Sequence, residues 1–345
     1  MLKALCAGAL AWLIALTLPM AVLYPDTVPV RASEASGTPE TAASEAAGEI
    51  SAASAAPAAA VPDASAPKEA ARGDEMPLSV ETDGQCAEMP LSDYLAGVLG
   101  GEMPVSWPEA ALEAQVIAAR TMVYRKLMGE SAHETGAPVC TDPGHCMAYA
   151  PLSDFTPDEQ AVLRAAVAAT ADIIAVWEDE PILAVFHAVS GGRTEAAADV
   201  WGGDMPYLCG VESPGEEGDA MFRTEHRFPF SDFAGRILAE YPAADLTGDP
   251  SGWITDIDRS PAGGVRSASV GGVRIRGTVL RRLLALPSTD FTIRADADGL
   301  TLVCTGWGHG VGMSQAGAAA MARAGSSAEE IVEYYYPGAV CRSAG

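Results

Sequence analysis

Positive charge is scarce in this sequence. Its 345 residues include 21 lysines and arginines against 46 aspartates and glutamates, which gives a formal net charge of -25 at pH 7. A protein that binds nucleic acid needs clustered basic side chains to neutralise the phosphates. The composition therefore predicts no nucleic-acid partner, and the acidic excess is more typical of a protein that is kept soluble outside the cell.

Two common functional motifs are missing as well. Ser190 lies near His187 but not within a Gly-x-Ser-x-Gly sequence, so a serine nucleophile is only weakly indicated. Residues 306–317 are rich in glycine, yet they contain no Gly-x-Gly-x-x-Gly pattern and no strand–helix–strand unit surrounds them. A nucleotide-binding loop is therefore not expected.

Large apolar side chains are nearly absent from residues 33 to 72, where alanine, serine, proline and glutamate predominate. A segment of this composition cannot bury enough apolar surface to fold. We predict a disordered linker over residues 26–77 and a folded domain over residues 78–345.

The first residues have the opposite character. The run from Ala4 to Leu23 carries no charge and follows Lys3, and its length suits a helix that crosses about 30 Å of hydrocarbon. This predicts an uncleaved, single-pass membrane anchor within residues 1–25, with the folded domain outside the cytoplasm. The alternative is a cleaved signal peptide, since Val30-Arg31-Ala32 loosely resembles a cleavage site, although it lies well past the apolar run.

The folded domain combines helix and strand patterns. After Pro108, apolar side chains recur at helical spacing at Leu112, Val116, Ala119, Val123 and Leu127. Further helices are predicted over 156–171 and 326–336, and strands over 173–177, 182–187 and 302–305. The order of these segments predicts an α+β fold, with helices packed on a small mixed or antiparallel sheet that borders a substrate cleft.

Glu102 is the candidate general acid. Three similar Glu-Met-Pro sequences contain Glu75, Glu88 and Glu102, but only Glu102 lies between two apolar helical stretches. A carboxyl group held against apolar surface keeps its proton to higher pH, which a general acid requires. Gln115 and Arg120 fall at the margins of the apolar stripe of the next helix, which indicates a polar pocket. A structural ion pair is the alternative role for Arg120.

A second group of chemically active residues lies on a turn-rich segment. It comprises His133, Cys140, His145 and Cys146, the ligand types of a tetrahedral structural zinc site. The spacing is unusual because two of the candidate ligands are adjacent. An extracytoplasmic location favours a different interpretation, a Cys140–Cys146 disulfide with two uninvolved histidines.

Two glycine-containing segments predict a cleft for a sugar. Glycine lets the backbone approach a ligand closely, while hydroxyl groups and flat aromatic faces suit saccharides. The candidate binding residues are Ser190, Gly191, Gly192, Thr194, Tyr207, His309 and Gln315, with Trp201 and Ser314 nearby. The alternative is an ordinary glycine turn beside a hydrogen-bonded His187.

Several of these segments resemble the stage II sporulation protein D family. The resemblance covers about Leu78 to Cys341, and its most specific motif is the glycine-rich one near the end. The matching segments are Asp93-Tyr-Leu-Ala-Gly-Val, Glu102-Met-Pro, Ala119-Arg-Thr, Phe186-His, Ser190-Gly-Gly-Arg-Thr-Glu, Ile275-Arg-Gly, Arg282-Leu-Leu and Gly306-Trp-Gly-His-Gly-Val-Gly-Met-Ser-Gln.

The resemblance implies a membrane-anchored lytic transglycosylase that cuts peptidoglycan glycan strands while the forespore is engulfed. It implies two kinds of partner: an amidase that first removes the stem peptides, and the membrane-protein complex of the engulfment machinery. Glu102 matches the catalytic acid of the family, and Arg120 and Tyr207 match site residues. The family also includes members with a structural zinc site whose ligands resemble the His133, Cys140, His145 and Cys146 set.

One position departs from the family pattern. A basic residue is common two places after the tyrosine, and here that position is Cys209.

The implied mechanism needs one carboxyl group, since Glu102 protonates the leaving oxygen and the C6 hydroxyl of N-acetylmuramic acid then closes a 1,6-anhydro ring. An ordinary hydrolase needs a second acid, for which Glu195, Asp199 and Asp204 are candidates. Two other classes remain open: a non-catalytic glycan-binding module that stimulates an amidase, and a zinc amidase with an open metal position.

Overall fold

The computed structural model describes residues 73–129 and 133–344. The predicted anchor and the linker up to residue 72 lie outside the described residues. Within the described ranges, no helix combines the length and the apolar character needed to cross a membrane.

Helices and strands alternate irregularly along the chain. The strands are β1 (Pro77–Thr82), β2 (Gln85–Pro90), β3 (Val139–Cys140), β4 (Ile173–Trp177), β5 (Glu180–Pro181), β6 (Phe186–His187), β7 (Arg223–Pro229), β8 (Ile254–Arg259), β9 (Val265–Val270), β10 (Val273–Arg276), β11 (Phe291–Ala295), β12 (Gly299–Thr305), β13 (Met313–Ser314) and β14 (Val340–Ser343). The helices are α1 (Leu91–Glu102), α2 (Glu109–Met128), α3 (Pro157–Ala169), α4 (Ala197–Val200), α5 (Phe230–Glu240), α6 (Gly277–Leu284), α7 (Gln315–Arg323) and α8 (Ala328–Tyr335).

The strands form several small sheets rather than the single sheet that the sequence predicted. Antiparallel sheets have the orders β10-β9-β8, β11-β12-β7 and β14-β4-β5, while β2-β1-β3 is mixed and β13 pairs with β6 in parallel. The α+β class is therefore confirmed. Each sheet has two or three strands, and most strands span six residues or fewer.

Helix α2 lies at the centre of the larger apolar core and contacts α1, α3, α7, α8 and β4. Leu112, Val116, Ala119 and Val123 are buried as the helical spacing predicted, whereas Leu127 is 42% exposed. Helix α2 is buried on more than the predicted stripe, because it is surrounded by other elements. A second core lies between α5, α6 and the sheets that contain β9 and β12.

The helix start predicted at Thr156 is confirmed, whereas the strand predicted over 182–187 is mostly absent. Helix α3 begins after Thr156, whose hydroxyl and the Glu159 side chain form the reciprocal cap. The strand predicted over 182–187 is reduced to β6. Its first residues do not form a ladder because their backbone N–H groups have scattered partners: that of Ile182 donates to the Ala175 carbonyl and that of Leu183 to the Tyr207 hydroxyl.

Candidate functional site

Glu102 is the last residue of α1, and its side chain is half-buried. The backbone N–H of Ala148 donates to its Oε1 at 2.7 Å, and the Gln315 amide donates to its Oε2 at 3.2 Å. Burial raises the pKa of the Glu102 carboxyl from 4.5 to about 7, and these two hydrogen bonds oppose that rise without cancelling it. Because both donors are neutral, their effect on the pKa is smaller than the effect of removing the carboxyl group from water.

Gln115 completes a chain of three polar side chains. Gln315 Nε2 lies 3.4 Å from Gln115 Oε1, and both glutamines are almost fully buried. Gln315 begins α7 and Gln115 lies in the middle of α2, so the packing of these two helices brings the amides together next to Glu102. Three of the predicted site residues thus form one group.

Arg120 does not join this group, although the sequence predicted a polar pocket that contains both Gln115 and Arg120. Its guanidinium is fully buried and forms two hydrogen bonds with the Asp74 carboxylate, at 2.7 and 2.8 Å. It also donates to the carbonyl oxygens of Val167 and Ile173. Arg120 therefore ties the start of the folded chain to α3 and β4. Asp74 lies four residues before Leu78, within the segment that was predicted as linker.

The four predicted metal ligands meet in one place. Their nearest donor atoms, from His133, Cys140, His145 and Cys146, all lie within 4.8 Å of one another. His133 Nε2 is 3.4 Å from the Cys146 sulfur, and His145 Nδ1 is 3.6 Å from both sulfurs. The group could hold a metal ion.

The donor chemistry fits such an ion. His133 Nδ1 donates to the Ala137 carbonyl at 2.6 Å, and Nε2 is directed towards the Cys146 sulfur. Cys140 and Cys146 are both free, so the alternative disulfide is not formed. The hydrogen bond between the two sulfurs lowers the pKa of Cys146 and raises that of Cys140.

A short segment links this group to Glu102. We call residues 146–150 the strap, because it runs from a metal-ligand candidate across one face of α1. Ala150 N donates to the Gly97 carbonyl at 3.0 Å, and Ala148 N donates to Glu102 as described above. A side chain at Gly101 would meet the Ala148 carbonyl carbon at 2.7 Å. Glycine at 97 and 101, one helical turn apart, lets the strap approach α1.

The Ser190 loop is held together by its own hydrogen bonds. Glu216 accepts from the Ser190 N–H at 2.6 Å and from the Ser190 hydroxyl at 2.9 Å. The Gly192 N–H donates to the Ser190 hydroxyl, and the Thr194 hydroxyl accepts from the Val211 N–H at 2.9 Å. Ser190 and Thr194 are almost fully buried, so their hydroxyls shape the loop. Gly191 is half-buried and lies on the Asp290 side of the same loop.

The remaining predicted residues are also mostly covered. Tyr207 is 7% exposed, and its hydroxyl accepts from the Leu183 N–H at 3.2 Å. The His309 ring lies 5.3 Å from the Trp201 ring and 5.7 Å from the His187 ring. Burial lowers the pKa of His187 to about 4 and that of His309 well below its usual range. Both histidines are therefore neutral at pH 7.

The competing acids are placed differently from Glu102. Glu195 is 6% exposed and its Oε1 accepts from the Ser260 hydroxyl at 2.8 Å and the Gly264 N–H at 3.0 Å. Asp199 pairs with Arg266 at 2.7 Å, and Asp204 is exposed to solvent. Glu195 and Asp199 brace the loops around them, whereas Asp204 is not buried as Glu102 is.

Comparison with known proteins places the chain in a family. Residues 81–177 match the family model described as Stage II sporulation protein. The chain is 32% identical over 287 residues to Stage II sporulation protein D of Bacillus subtilis, an alignment that covers 79% of this chain and 82% of that protein. It is 33% identical over 277 residues to the Bacillus amyloliquefaciens protein of the same name, covering 76% and 78% of the two chains. The chain belongs to the stage II sporulation protein D family.

Membership of the stage II sporulation protein D family confirms the resemblance and connects the chain with sporulation. A more distant relative is the Amidase enhancer of Bacillus subtilis, 28% identical over 300 residues that cover 72% of this chain and 40% of that protein. Its name associates that protein with an amidase. The matched family segment contains Glu102, Gln115 and all four metal-ligand candidates, whereas Gln315 lies beyond it.

Sequence reasoning missed two residues that organise the site. Ala148 supplies a backbone N–H, which no side-chain pattern could indicate. Glu216 is 2% exposed and gathers hydroxyl groups from separate loops, including that of Ser213, which also contacts Tyr335. The sequence around Glu216 did not distinguish it from the many other acidic residues of this chain.

Proposed function

We propose that this protein is a peptidoglycan lytic transglycosylase that cleaves the bond between N-acetylmuramic acid and N-acetylglucosamine in stem-peptide-free glycan strands. The supporting observation is Glu102, half-buried, held by two neutral donors and with its pKa raised to about 7. A carboxyl group of this kind is protonated in a large fraction of molecules near neutral pH and suits general acid catalysis.

In the proposed reaction, Glu102 gives its proton to the oxygen that links the two sugars, and the bond from that oxygen to the muramic anomeric carbon breaks. The C6 hydroxyl of the same muramic residue attacks the anomeric carbon and returns its proton to the Glu102 carboxylate. The product has a 1,6-anhydro end and no water is consumed. The Gln315 amide and the Ala148 N–H stabilise the carboxylate between the two proton transfers.

The geometry favours this reaction over ordinary hydrolysis. Hydrolysis needs a second carboxylate beside the sugar, whereas the tethered C6 hydroxyl already lies next to the reacting carbon at high effective concentration. Glu195 and Asp199 are engaged by Ser260, Gly264 and Arg266. We therefore assign the proton transfers to Glu102.

We assign the metal group to zinc in a structural role. Two thiols and two imidazoles are the donors that zinc prefers, and four protein ligands leave no open position for an amidase reaction. When bound, the ion would cross-link the segment between His133 and Cys146. That segment continues into the strap, which carries the Ala148 N–H to Glu102. The proposed zinc thus supports the acid through the backbone.

The proposed cellular setting follows the family. The protein is proposed to be a single-pass membrane protein with its folded domain outside the cytoplasm, where it meets glycan strands that a partner amidase has stripped. It would act there within the membrane-protein complex of engulfment.

The test is product analysis with the full-length protein and its Glu102→Gln variant on glycan strands that lack stem peptides. Mass spectrometry should find 1,6-anhydro ends with the wild type and no new ends with the variant. Free reducing ends made by the wild type would indicate a hydrolase instead, and full turnover by Glu102→Gln would remove the acid from the mechanism.

A second function is favoured by one observation, the similarity to a protein named Amidase enhancer. In that case the site holds glycan without cutting it and increases the activity of a cell-wall amidase. The wild type and the Glu102→Gln variant also decide between the two functions. A binding module should stimulate the amidase to the same extent in both forms, with no strand cleavage by either form.

A further inference from the structure

Four large, half-buried apolar side chains lie together on one part of the described surface. Trp107, Met221, Phe222 and Trp307 pack around the buried Ala188, Val189 and Ala316. We call this set the aromatic patch. Phe, Trp and Tyr make up only 6% of the chain, so three of them in one small cluster are a marked concentration.

The backbone beneath the aromatic patch is rigidly paired. Val189 and Trp307 exchange two hydrogen bonds, of 3.0 and 2.7 Å, and Gly306 N donates to the Phe222 carbonyl at 2.8 Å. Gly306 has a φ of 78°, and a side chain there would lie 2.9 Å from the Val189 carbonyl oxygen. Glycine at 306 therefore lets the segments that carry Trp307 and Val189 meet closely.

The aromatic patch adjoins the acid. Ala316 N donates to the Ala188 carbonyl at 2.9 Å, and Ala316 directly follows Gln315, whose amide binds Glu102. On the other side, Trp107 follows Glu102 by five residues, across a turn in which Trp107 N donates to the Pro104 carbonyl. Two separate backbone connections thus lead from Glu102 to the patch.

Partly exposed aromatic rings beside a general acid suit the apolar faces of pyranose rings, while the glutamines supply hydrogen bonds. We propose that the aromatic patch is a binding surface for the glycan strand, on which sugars next to the cleaved bond stack against Trp107 and Trp307. This inference rests on the proposed function, because it takes the same strand as its ligand. It adds a subsite that Glu102, Gln115 and Gln315 do not provide.

The test measures binding without turnover, in full-length protein with Glu102→Gln. Isothermal titration with peptide-free glycan strands compares this protein with versions that also carry Trp107→Ala, Trp307→Ala or Trp307→Phe. We expect each alanine change to weaken binding by about tenfold or more, as for buried aromatic anchors in other interfaces, and Trp307→Phe to restore most of the loss. Tyr334→Ala is the matched control, since Tyr334 is 39% exposed on α8 and is not part of the patch.

The outcomes separate the two proposals. If Glu102→Gln protein binds strands and the alanine changes leave the affinity within about twofold, the aromatic patch is not a glycan surface although the proposed function stands. If the alanine variants keep their glycan affinity but lose stimulation of an amidase, the patch binds protein and our assignment is overturned. If Glu102→Gln binds no strand and the wild type cleaves none, both proposals fail. Thermal unfolding of every variant shows that lost binding is not lost folding.

Discussion

The pKa of about 7 at Glu102 makes a quantitative prediction about pH. The proposed reaction requires the protonated carboxyl, so kcat/KM should follow the protonated fraction of the free protein. With this pKa, that fraction is roughly nine-tenths at pH 6 and roughly one-tenth at pH 8. We therefore expect kcat/KM to fall by roughly an order of magnitude between pH 6 and pH 8.

The same shift affects stability. The folded-state pKa of Glu102 is raised from 4.5 to about 7, so the folded protein holds this proton more tightly than the unfolded chain. Its favourable contribution is complete below about pH 4.5 and is lost as the pH rises towards 7. The free energy at stake is at most about 3.5 kcal/mol, because each tenfold change in proton affinity corresponds to about 1.4 kcal/mol.

Glu102→Gln separates this effect from the titration of other groups. The amide stays neutral, so the free energy of unfolding of the variant should lack this decline with pH. The substitution also fits the site. The new amide at position 102 presents an NH₂ group to Gln315, so the side-chain amides of Gln315 and Gln115 must both rotate by half a turn to restore the hydrogen bonds. Gln115 can do so because its Nε2 has no hydrogen-bond partner among the described residues.

The assays are initial rates of strand cleavage from about pH 5 to about pH 9, and urea unfolding of both proteins over the same range. A rate that is constant between about pH 6 and about pH 8 would refute the assignment of Glu102 as a neutral acid. Parallel stability curves for wild type and variant would show that burial does not raise its pKa.

Three further predictions concern the supports of the site. Gly101→Ala should displace the strap and lower activity at least about tenfold, because the added carbon meets the Ala148 backbone at 2.7 Å. The control is Gly235→Ala on α5, where an added carbon meets nothing within 4 Å and activity should not change. Steady-state kinetics of the two variants test this prediction. Asp74→Ala should lower the free energy of unfolding in urea by about 3–5 kcal/mol, since it leaves the buried Arg120 without a charged partner. Asp93→Ala removes one member of an exposed ion pair and should cost less than about 1 kcal/mol. Equal losses in the two variants would contradict a structural role for the Arg120–Asp74 pair. Removal of the metal by a chelator should lower the melting temperature of the wild type but not that of Cys146→Ala, and metal analysis of the purified protein should give about one zinc per chain.

Much of the local structure could be read from the sequence. Thr156 and Glu159 form the cap that their spacing indicates, and the apolar residues of α2 are buried as their periodicity predicts. These features depend on neighbours along the chain, so a single sequence contains the information. The last helix was placed one residue early, because Ser327 rather than Ser326 caps α8.

The metal-ligand candidates illustrate an intermediate case. Their residue types predicted either a metal site or a disulfide. The choice between a metal site and a disulfide required the tertiary structure, in which His133 and His145 are directed towards the two sulfurs and so favour the metal site.

By itself the sequence determined the family, the α+β class and the identity of the candidate acid, since these depend on residue types and short spacings. Only the tertiary structure decided which distant groups surround that acid. Gln315 reaches Glu102 across 213 positions, and Arg120, only 18 positions away, turns instead to Asp74. The physical reason is that a buried charge needs a charged partner, whereas a carboxyl that must keep its proton is stabilised by neutral surroundings.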